Sequence, residues 1–455
     1  MTLKMKAVCG IVFLTAISLF ACKSSDQKAK NESTGQGLPE TFLQSNIYEV
    51  NVRQYTPEGT FKAFAKSLPR LKEMGVDILW FMPITPISVQ DRKGVLGSYY
   101  AVADYTAVNP EFGTVEDWKA LVKEAQGMGM KVIIDWVANH SGADNRWIQS
   151  NPDFYIKGAD GKLKFAFDWS DTRDLNYWNP VLHDSMISSM KFWVKETGID
   201  GFRCDVAAEV PRLFWQKATS ELKKTKSDII LLAEADIAWI HDAGFQISYA
   251  WDAFAQMKKV AKGEASARVL DTVLRKMDET YPPGALKMYF TSNHDENTWN
   301  KADYATMPGA VHAPFAILTQ TWKNSIPLIY SGQEEPFLDS LSFFYKDTII
   351  FKNYERAAFY TSLLKLRKSN PALAADAVYT KLNSDKDEAV YCYQKEKNGK
   401  KILVLLNLSA KAQSFTITEK LAGKYLNLFL NKSEEIKDNQ QFTLPEWGYS
   451  VYSVQ

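Results

Sequence analysis

From about residue 45 onward, short apolar runs rich in Ile, Val, Phe and Tyr alternate with amphipathic stretches. The runs Asn46–Val50, Val76–Phe81, Lys131–Val137, Gly201–Val206, Ile229–Glu234, Phe245–Tyr249, Leu286–Ser292 and Ile326–Tyr330 have the length and composition of strands. Between several of them the apolar positions recur with a helical period, as in Phe61–Met74, Val115–Met128 and Asn179–Thr197. Strands alternating with helices in this way predict an α/β fold, a (β/α)8 TIM-type barrel whose interior is filled from alternate strand positions. An open doubly wound sheet is the competing arrangement. No Gly-rich phosphate loop follows the first strand, so that arrangement lacks its usual nucleotide-binding signature.

Two departures from the alternation subdivide the chain. The stretch between the third and fourth strands is longer than one helix requires. Its first part, 141–177, is rich in Asp, Asn, Gly and aromatic residues and reads as a small inserted domain. After Pro371 the helical period disappears. Val390–Gln394, Lys401–Leu408, Gln413–Ile417, Tyr425–Leu430 and Tyr449–Val454 then read as strands of an antiparallel β-sandwich, with a Lys-Asn-Gly-Lys turn. The expected division is a signal peptide over 1–21, a flexible tether over 22–40, a barrel over 41–140 and 178–370, the insertion, and the sandwich over 371–455.

The amino terminus points to export. Met1–Lys6 carries two lysines and precedes the apolar run Ala7–Ala21, a secretory layout too short to serve comfortably as a permanent span. Leu19-Phe20-Ala21-Cys22 resembles a bacterial lipobox, in which Cys22 would carry lipid; ordinary signal cleavage nearby is the alternative. The expected location is the cell envelope, with membrane contact only through that anchor. Lys23–Gly37 is polar and reads as the tether. Beyond Cys9 and Cys22 only Cys204 and Cys392 remain, which is no disulfide framework, and no Cys/His cluster has zinc spacing.

Charge excludes other classes. Of 455 residues, 54 are Lys or Arg and 53 Asp or Glu, so the formal charge of +1 rules out the basic footprint of a dedicated nucleic-acid binder. With 46% hydrophobic and 24% charged residues the chain has the balance of a globular protein.

In a barrel of this type the active site lies at the carboxyl ends of the strands. Four of those ends carry acids: Asp135 in Ile133-Ile134-Asp135-Trp136-Val137-Ala138-Asn139-His140, Asp205 in Gly201-Phe202-Arg203-Cys204-Asp205, Glu234 in Leu231-Leu232-Ala233-Glu234, and Asp295 in Phe290-Thr291-Ser292-Asn293-His294-Asp295. A lone Asp after a strand is usually a helix cap. Acids closing four apolar runs on one rim are different, because a carboxylate at a buried strand end is costly unless it is paired or functional.

These four segments, in this order, resemble the signature regions of the alpha-amylase family, glycoside hydrolase family 13. Gly97-Ser98-Tyr99-Tyr100-Ala101-Val102-Ala103-Asp104-Tyr105 and Ile326-Pro327-Leu328-Ile329-Tyr330-Ser331-Gly332-Gln333-Glu334 are similar to its segments after the second strand and at the eighth. The resemblance implies a retaining hydrolase of alpha-1,4-glucosidic bonds in starch or malto-oligosaccharides. Its two carboxyls would stand about 5–5.5 Å apart across the scissile bond. It assigns Asp205 as nucleophile, Glu234 as acid and base, and Asp295 as the carboxylate holding sugar hydroxyls. Tyr100, His140, Arg203 and His294 form the substrate-binding set. On a strand Arg203 and Asp205 point the same way, so the guanidinium is expected to favour an ionised nucleophile.

The sequence departs from many alpha-amylases after the nucleophile, where Ala208 and Glu209 replace a Lys-His pair. Asp205-Val206-Ala207-Ala208-Glu209-Val210 is nearer to neopullulanases and cyclomaltodextrinases, so oligosaccharide-specific action of that or the alpha-glucosidase type is an alternative. Transglycosylation is another, because it uses the same residues. A non-catalytic glycan-binding lipoprotein is a third, weakened by the complete acid set. The family often holds a structural calcium. Asn139 matches one ligand position and Asp174 a plausible second, with oxygen donors suited to that ion; ordinary hydrogen bonds between loops are the alternative role. No organic cofactor is expected.

Overall fold

The computed structural model describes residues 39–301, 307–337 and 339–455; the expected signal peptide, most of the tether and Cys22 lie outside them. Eight parallel strands, β1 (Ile47–Val50), β2 (Ile78–Phe81), β3 (Lys131–Val137), β4 (Gly201–Asp205), β5 (Ile230–Ala233), β6 (Ile247–Tyr249), β7 (Leu286–Met288) and β8 (Leu328–Tyr330), lie in the order β8-β1-β2-β3-β4-β5-β6-β7. The ends of that order also meet. Ile326 N donates to Lys287 O and Leu328 N to Tyr289 O, each at 2.9 Å, and Lys287 pairs with Ser325 in parallel. This closure decides between the two arrangements that the strand pattern left open.

The strands are short because each needs only two or three side chains on its inner face. Ile47, Ile78, Trp80, Ile133, Ile230, Leu232, Ile247 and Met288 occupy alternate positions and share one buried cluster. Tyr48, Leu79, Phe81, Val132, Ile134, Phe202, Leu231 and Ile329 take the other parity and pack in a second cluster with the surrounding helices. Glu49, Asp135, Arg203 and Asp205 stand on the inner parity, and none is more than 6% exposed. A charged layer thus sits on top of apolar ones.

Local chemistry shifts several expected boundaries. The helical stretch Phe61–Met74 is two helices, Phe61–Ala65 and Leu68–Met74, because Pro69 has no N–H to donate to the carbonyl four residues back, as a continuous helix would require, and suits the first turn of a new helix instead. The seventh strand stops at Met288 rather than Ser292. Asn293 accepts a bond from Glu296 N at 2.8 Å and caps the helix His294–Asn300, so the chain leaves the ladder early. Asp295 therefore sits in a helical first turn.

After β3 the chain forms a small antiparallel pair, His140–Gly142 with Thr172–Asp174. The carboxyl-terminal part is a six-stranded antiparallel sheet faced by the pair Gln413–Thr416 and Gln441–Leu444. Alternation again assigns the faces. Tyr391, Tyr393, Ile402 and Val404 join a barrel cluster, while Val390, Cys392, Leu403 and Leu405 pack with Phe415 and Phe442. Val378–Leu382, Lys432–Ile436 and Gln441–Leu444 were not expected from the pattern. The first two are edge strands of the larger sheet, and the polar residues that blunt such edges hide the apolar alternation.

Closure of the barrel depends on one buried guanidinium. Arg367 donates to the carbonyls of Leu43 (3.1 Å) and Ser45 (3.1 Å) before β1, and of Gln320 (2.7 Å) and Ser325 before β8. Leu43 O keeps a bond from Ala375 N at 2.7 Å, but Arg367→Met removes the guanidinium donor from the carbonyls of Ser45, Gln320 and Ser325, at about 1–3 kcal/mol each. It should lower stability by at least about 3 kcal/mol, measured as a shift of the urea unfolding midpoint; an unchanged midpoint would contradict this role.

Candidate active site

The carboxyl ends of the strands surround a pocket of about 530 Å³ lined by Tyr100, His140, Asp205, Glu234, His294 and Asp295, among others. Six of the seven expected catalytic and sugar-binding residues thus meet in one cavity. Arg203 does not line it. It is fully buried beneath the floor, with its charge met by Asp135, Asp205 and Glu234, so it lies under the pocket rather than in its lining.

Arg203 organises that floor. Nη1 lies 2.8 Å from Asp135 Oδ1 and 2.9 Å from Asp205 Oδ1, and Nε donates to Tyr249 Oη at 3.1 Å. Nη2 stands 2.9 Å from Glu234 Oε2, a close ion pair without the alignment of a hydrogen bond. The guanidinium also lies over the Trp80 ring, 5.0 Å from its centroid. Asp205 and Glu234 are therefore held on neighbouring nitrogens of one cation. The backbone reinforces the arrangement: Val206 N donates to Glu234 Oε2 at 2.8 Å and Glu234 N to Cys204 O at 2.9 Å.

Burial raises the pKa of Asp205 well above the ordinary carboxyl value. Arg203 pulls it down as expected, but Glu234 and Asp135 push it up again. Glu234 is also raised, first by burial and then by Asp295, against Arg203. Carboxyls sharing one guanidinium titrate as a group.

His140 and His294 are held in opposite states. The Asn139 amide donates to His140 Nδ1 at 3.3 Å, which leaves the proton on Nε2. That Nε2 is buried without a hydrogen-bond partner, on a residue lining the pocket. Burial lowers the His140 pKa to about 3. His294 meets Glu49 Oε1 through Nδ1 at 2.5 Å and Tyr100 Oη through Nε2 at 2.8 Å, with Asp295 Oδ2 3.3 Å away. Burial works against its charged form, but Asp295 and Glu49 outweigh it and raise the pKa to about 9. Tyr100 Oη in turn donates to Asp135 Oδ2 at 3.1 Å. A continuous polar chain thus runs from Glu49 on β1 to Asp205 on β4.

Glu49 was absent from the sequence-derived set. Its signal was available, since an ionisable residue inside the fully buried run Ile47–Val50 is costly without a partner. Asp135 was recognised as a strand-end acid but given no role.

Asn139 and Asp174 lie apart from the pocket lining. Leu175 N donates to Asn139 O at 3.3 Å, and His140 pairs with Asp174 across the inserted hairpin. Burial raises the pKa of the half-buried Asp174 carboxyl, partly offset by Lys164. A cation would relieve that cost, and both side chains offer oxygen, so they fit calcium as part of a larger donor set. Among the described residues no three His, Cys, Asp or Glu side chains are grouped to hold a metal; the remaining donors would be amide and backbone oxygens.

Comparison with known proteins places this geometry. The profile of the alpha amylase catalytic domain matches residues 36–160 and 164–421. A crystal structure of a noncanonic maltogenic alpha-amylase, AmyB from Thermotoga neapolitana, superposes with a TM-score of 0.84 at 29% identity, covering 91% of this chain and 99% of that one. Alpha-amylase MalA of Haloarcula japonica is 26% identical over 408 residues, 84% of this chain and 58% of that protein. Trehalose synthase of Pimelobacter sp. is 35% identical over 228 residues, 42% of this chain and 38% of that protein. The chain therefore spans about half the length of these curated relatives.

The opposed histidines are directly measurable. With ¹⁵N-labelled histidine, His294 should show two protonated ring nitrogens at neutral pH and titrate near 9, whereas His140 should stay neutral down to about 3. Since the folded pKa of His294 is raised above its ordinary 6.5, its contribution to stability is complete below 6.5 and lost as pH rises through about 9. Glu49→Gln should move that titration down by about 1–3 pH units. A singly protonated His294 at neutral pH would contradict the network.

Proposed function

The chain belongs to the alpha-amylase family, and from that membership together with the site geometry we propose that it is a retaining glycoside hydrolase cleaving alpha-1,4-glucosidic bonds in starch or malto-oligosaccharides. The observation that carries this reading is the pair of carboxyls, Asp205 and Glu234, held on adjacent nitrogens of Arg203 at the pocket floor. Such an arrangement supports close carboxyls flanking a single bond, as double displacement requires.

In this reading the Asp205 carboxylate attacks the anomeric carbon while Glu234 gives its proton to the departing glycosidic oxygen. A glycosyl ester on Asp205 results. Glu234, now ionised, takes a proton from water as that water's oxygen displaces Asp205, and the product keeps its configuration. Neutral His140 donates from Nε2 to a sugar hydroxyl, whereas His294, whose two ring nitrogens are engaged by Glu49 and Tyr100, contributes its positive charge beside Asp295.

A second reading has a specific observation behind it. The local 35% identity to a trehalose synthase fits interception of the glycosyl ester by a sugar hydroxyl instead of water. Products at high maltotriose concentration separate the two, because longer oligosaccharides forming faster than glucose mean transfer.

Location and calcium complete the proposal. The Lys-rich start, the apolar run and the lipobox-like Leu19-Phe20-Ala21-Cys22 support export with a lipid anchor at Cys22. Among the described residues no helix is long and apolar enough to cross a membrane. Calcium, held in part by Asn139 and Asp174, would tie the inserted hairpin to the barrel without entering the chemistry. A chelator should then lower Tm, with recovery on adding Ca²⁺ alone; an unchanged Tm removes calcium from the proposal.

Asp205→Asn should lower kcat at least about 10³-fold with maltotriose binding retained. Glu234→Gln should cost about 10²–10⁴-fold. Proton NMR of the first product should show the alpha anomer. Inversion, or near wild-type turnover by the Asp205 variant, would refute the assignment.

A further inference from the structure

The rim around the pocket is strongly asymmetric. After β4, β5 and β6 the chain turns quickly into the short turn Ala207–Glu209 and the helices Trp239–Asp242 and Trp251–Ala261, with only Ala250 between β6 and its helix. On the other side, β2, β3 and β8 are followed by long segments. These segments are fastened to one another in an unbroken series.

Lys93, after β2, pairs with buried Asp171 of the inserted segment at 3.2 Å. Leu96 N donates to Phe344 O at 3.0 Å, joining the loops after β2 and β8. Gly94 packs so tightly there that a Cβ would lie 2.5 Å from that of Phe344. Beneath them Arg53, which follows β1, donates to Leu96 O, Gly97 O and Phe343 O at 3.2–3.3 Å. The loop after β8 is then tied to the helix after β7: Leu341 N donates to Asn297 Oδ1 at 2.8 Å, and Thr298 Oγ1 to Leu341 O at 2.8 Å. Trp299 closes the series against Phe343, with centroids 5.5 Å apart.

This wall is centred on β1, which lies across the barrel from β5, the strand that delivers Glu234. In double displacement the acid stands on the leaving-group side of the bond, so the reducing-end part of the substrate must lie toward Glu234. The sugar that bonds to Asp205 then has its non-reducing end directed at the wall. We propose, building on the retaining-hydrolase reading above, that the wall makes this a chain-end enzyme. It accepts the non-reducing ends of alpha-1,4-glucans and releases one or two glucose units, with the rest of the chain leaving over the low rim formed by β4 to β6. A volume of about 530 Å³ suits a small ligand rather than a polymer running through. Lys93, Phe344 and Trp299 are the specificity-determining residues.

The test compares two reducing-end-labelled maltoheptaosides, one with a free non-reducing end and one capped there by an ethylidene acetal. Wild-type protein should shorten the free substrate stepwise from its unlabelled end and cleave the capped one at least about 100-fold more slowly. Equal cleavage of both, with products of mixed length from the start, overturns the proposal and leaves the hydrolase reading standing. Cleavage of neither sinks the hydrolase reading itself. Phe344→Ala combined with Trp299→Ala should narrow the capped-to-free ratio at least about 10-fold; if that variant folds, shown by an unchanged circular dichroism spectrum, and the ratio stays fixed, the wall is not the cause.

Discussion

The site depends on a single guanidinium being shared among carboxylates in a place that water does not reach. Arg203 lies inside a ring of strands, with Trp80 from β2, Asp135 from β3, Asp205 on its own strand, Glu234 after β5 and Tyr249 from β6. Removing one partner from such a cluster leaves buried charge uncompensated, which is far costlier than losing a surface pair. The geometry of the two central acids is therefore not a property of their own loops. It follows from the register of β3 and β4, which sets Asp135 opposite Arg203.

Much of this was legible in the chain because the physics is local. All eight barrel strands could be read from apolar runs, and strand-end acids are conspicuous where hydrophobic stretches should continue. What could not be read are features set by contact across the sequence. Glu49 looks like an isolated acid in Ile47-Tyr48-Glu49-Val50 until closure brings β1 to His294, separated by 245 positions. Arg203 resembles a substrate ligand until the barrel folds over it. Pro69 could have warned of the divided helix, since its effect is covalent and visible in sequence. The polar edge strands could not, because pairing to an existing sheet decides them.

Loop length is the second organising constraint. A closed barrel fixes only where strand ends lie, and the connections above them decide what can approach. Here the long connections are braced by buried groups such as Arg53 and Asp171, which are 2% exposed each. Braced loops position aromatic walls without the entropy cost that mobile ones would pay on binding. The short connections after β4 to β6 build no comparable wall, so the same barrel presents one high side and one low side.

Charge balance connects the floor to the chemistry. Five carboxyls (Glu49, Asp135, Asp205, Glu234 and Asp295) share two cations, Arg203 and His294. Burial raises Glu49, Asp135, Asp205 and Glu234 together. A cluster with surplus acids keeps a proton at a pH where free carboxyls would have lost it. One retained proton is what an acid catalyst must supply at the start of each cycle. A further cation at the floor would drive that proton off, and losing Arg203 would leave Asp205 and Glu234 both protonated. The proposed chemistry needs the state between those extremes, in which the pair Asp205 and Glu234 holds one proton between them. Glu49 belongs to the same balance, since its bond to Nδ1 favours the charged form of His294, which lies beside Asp295.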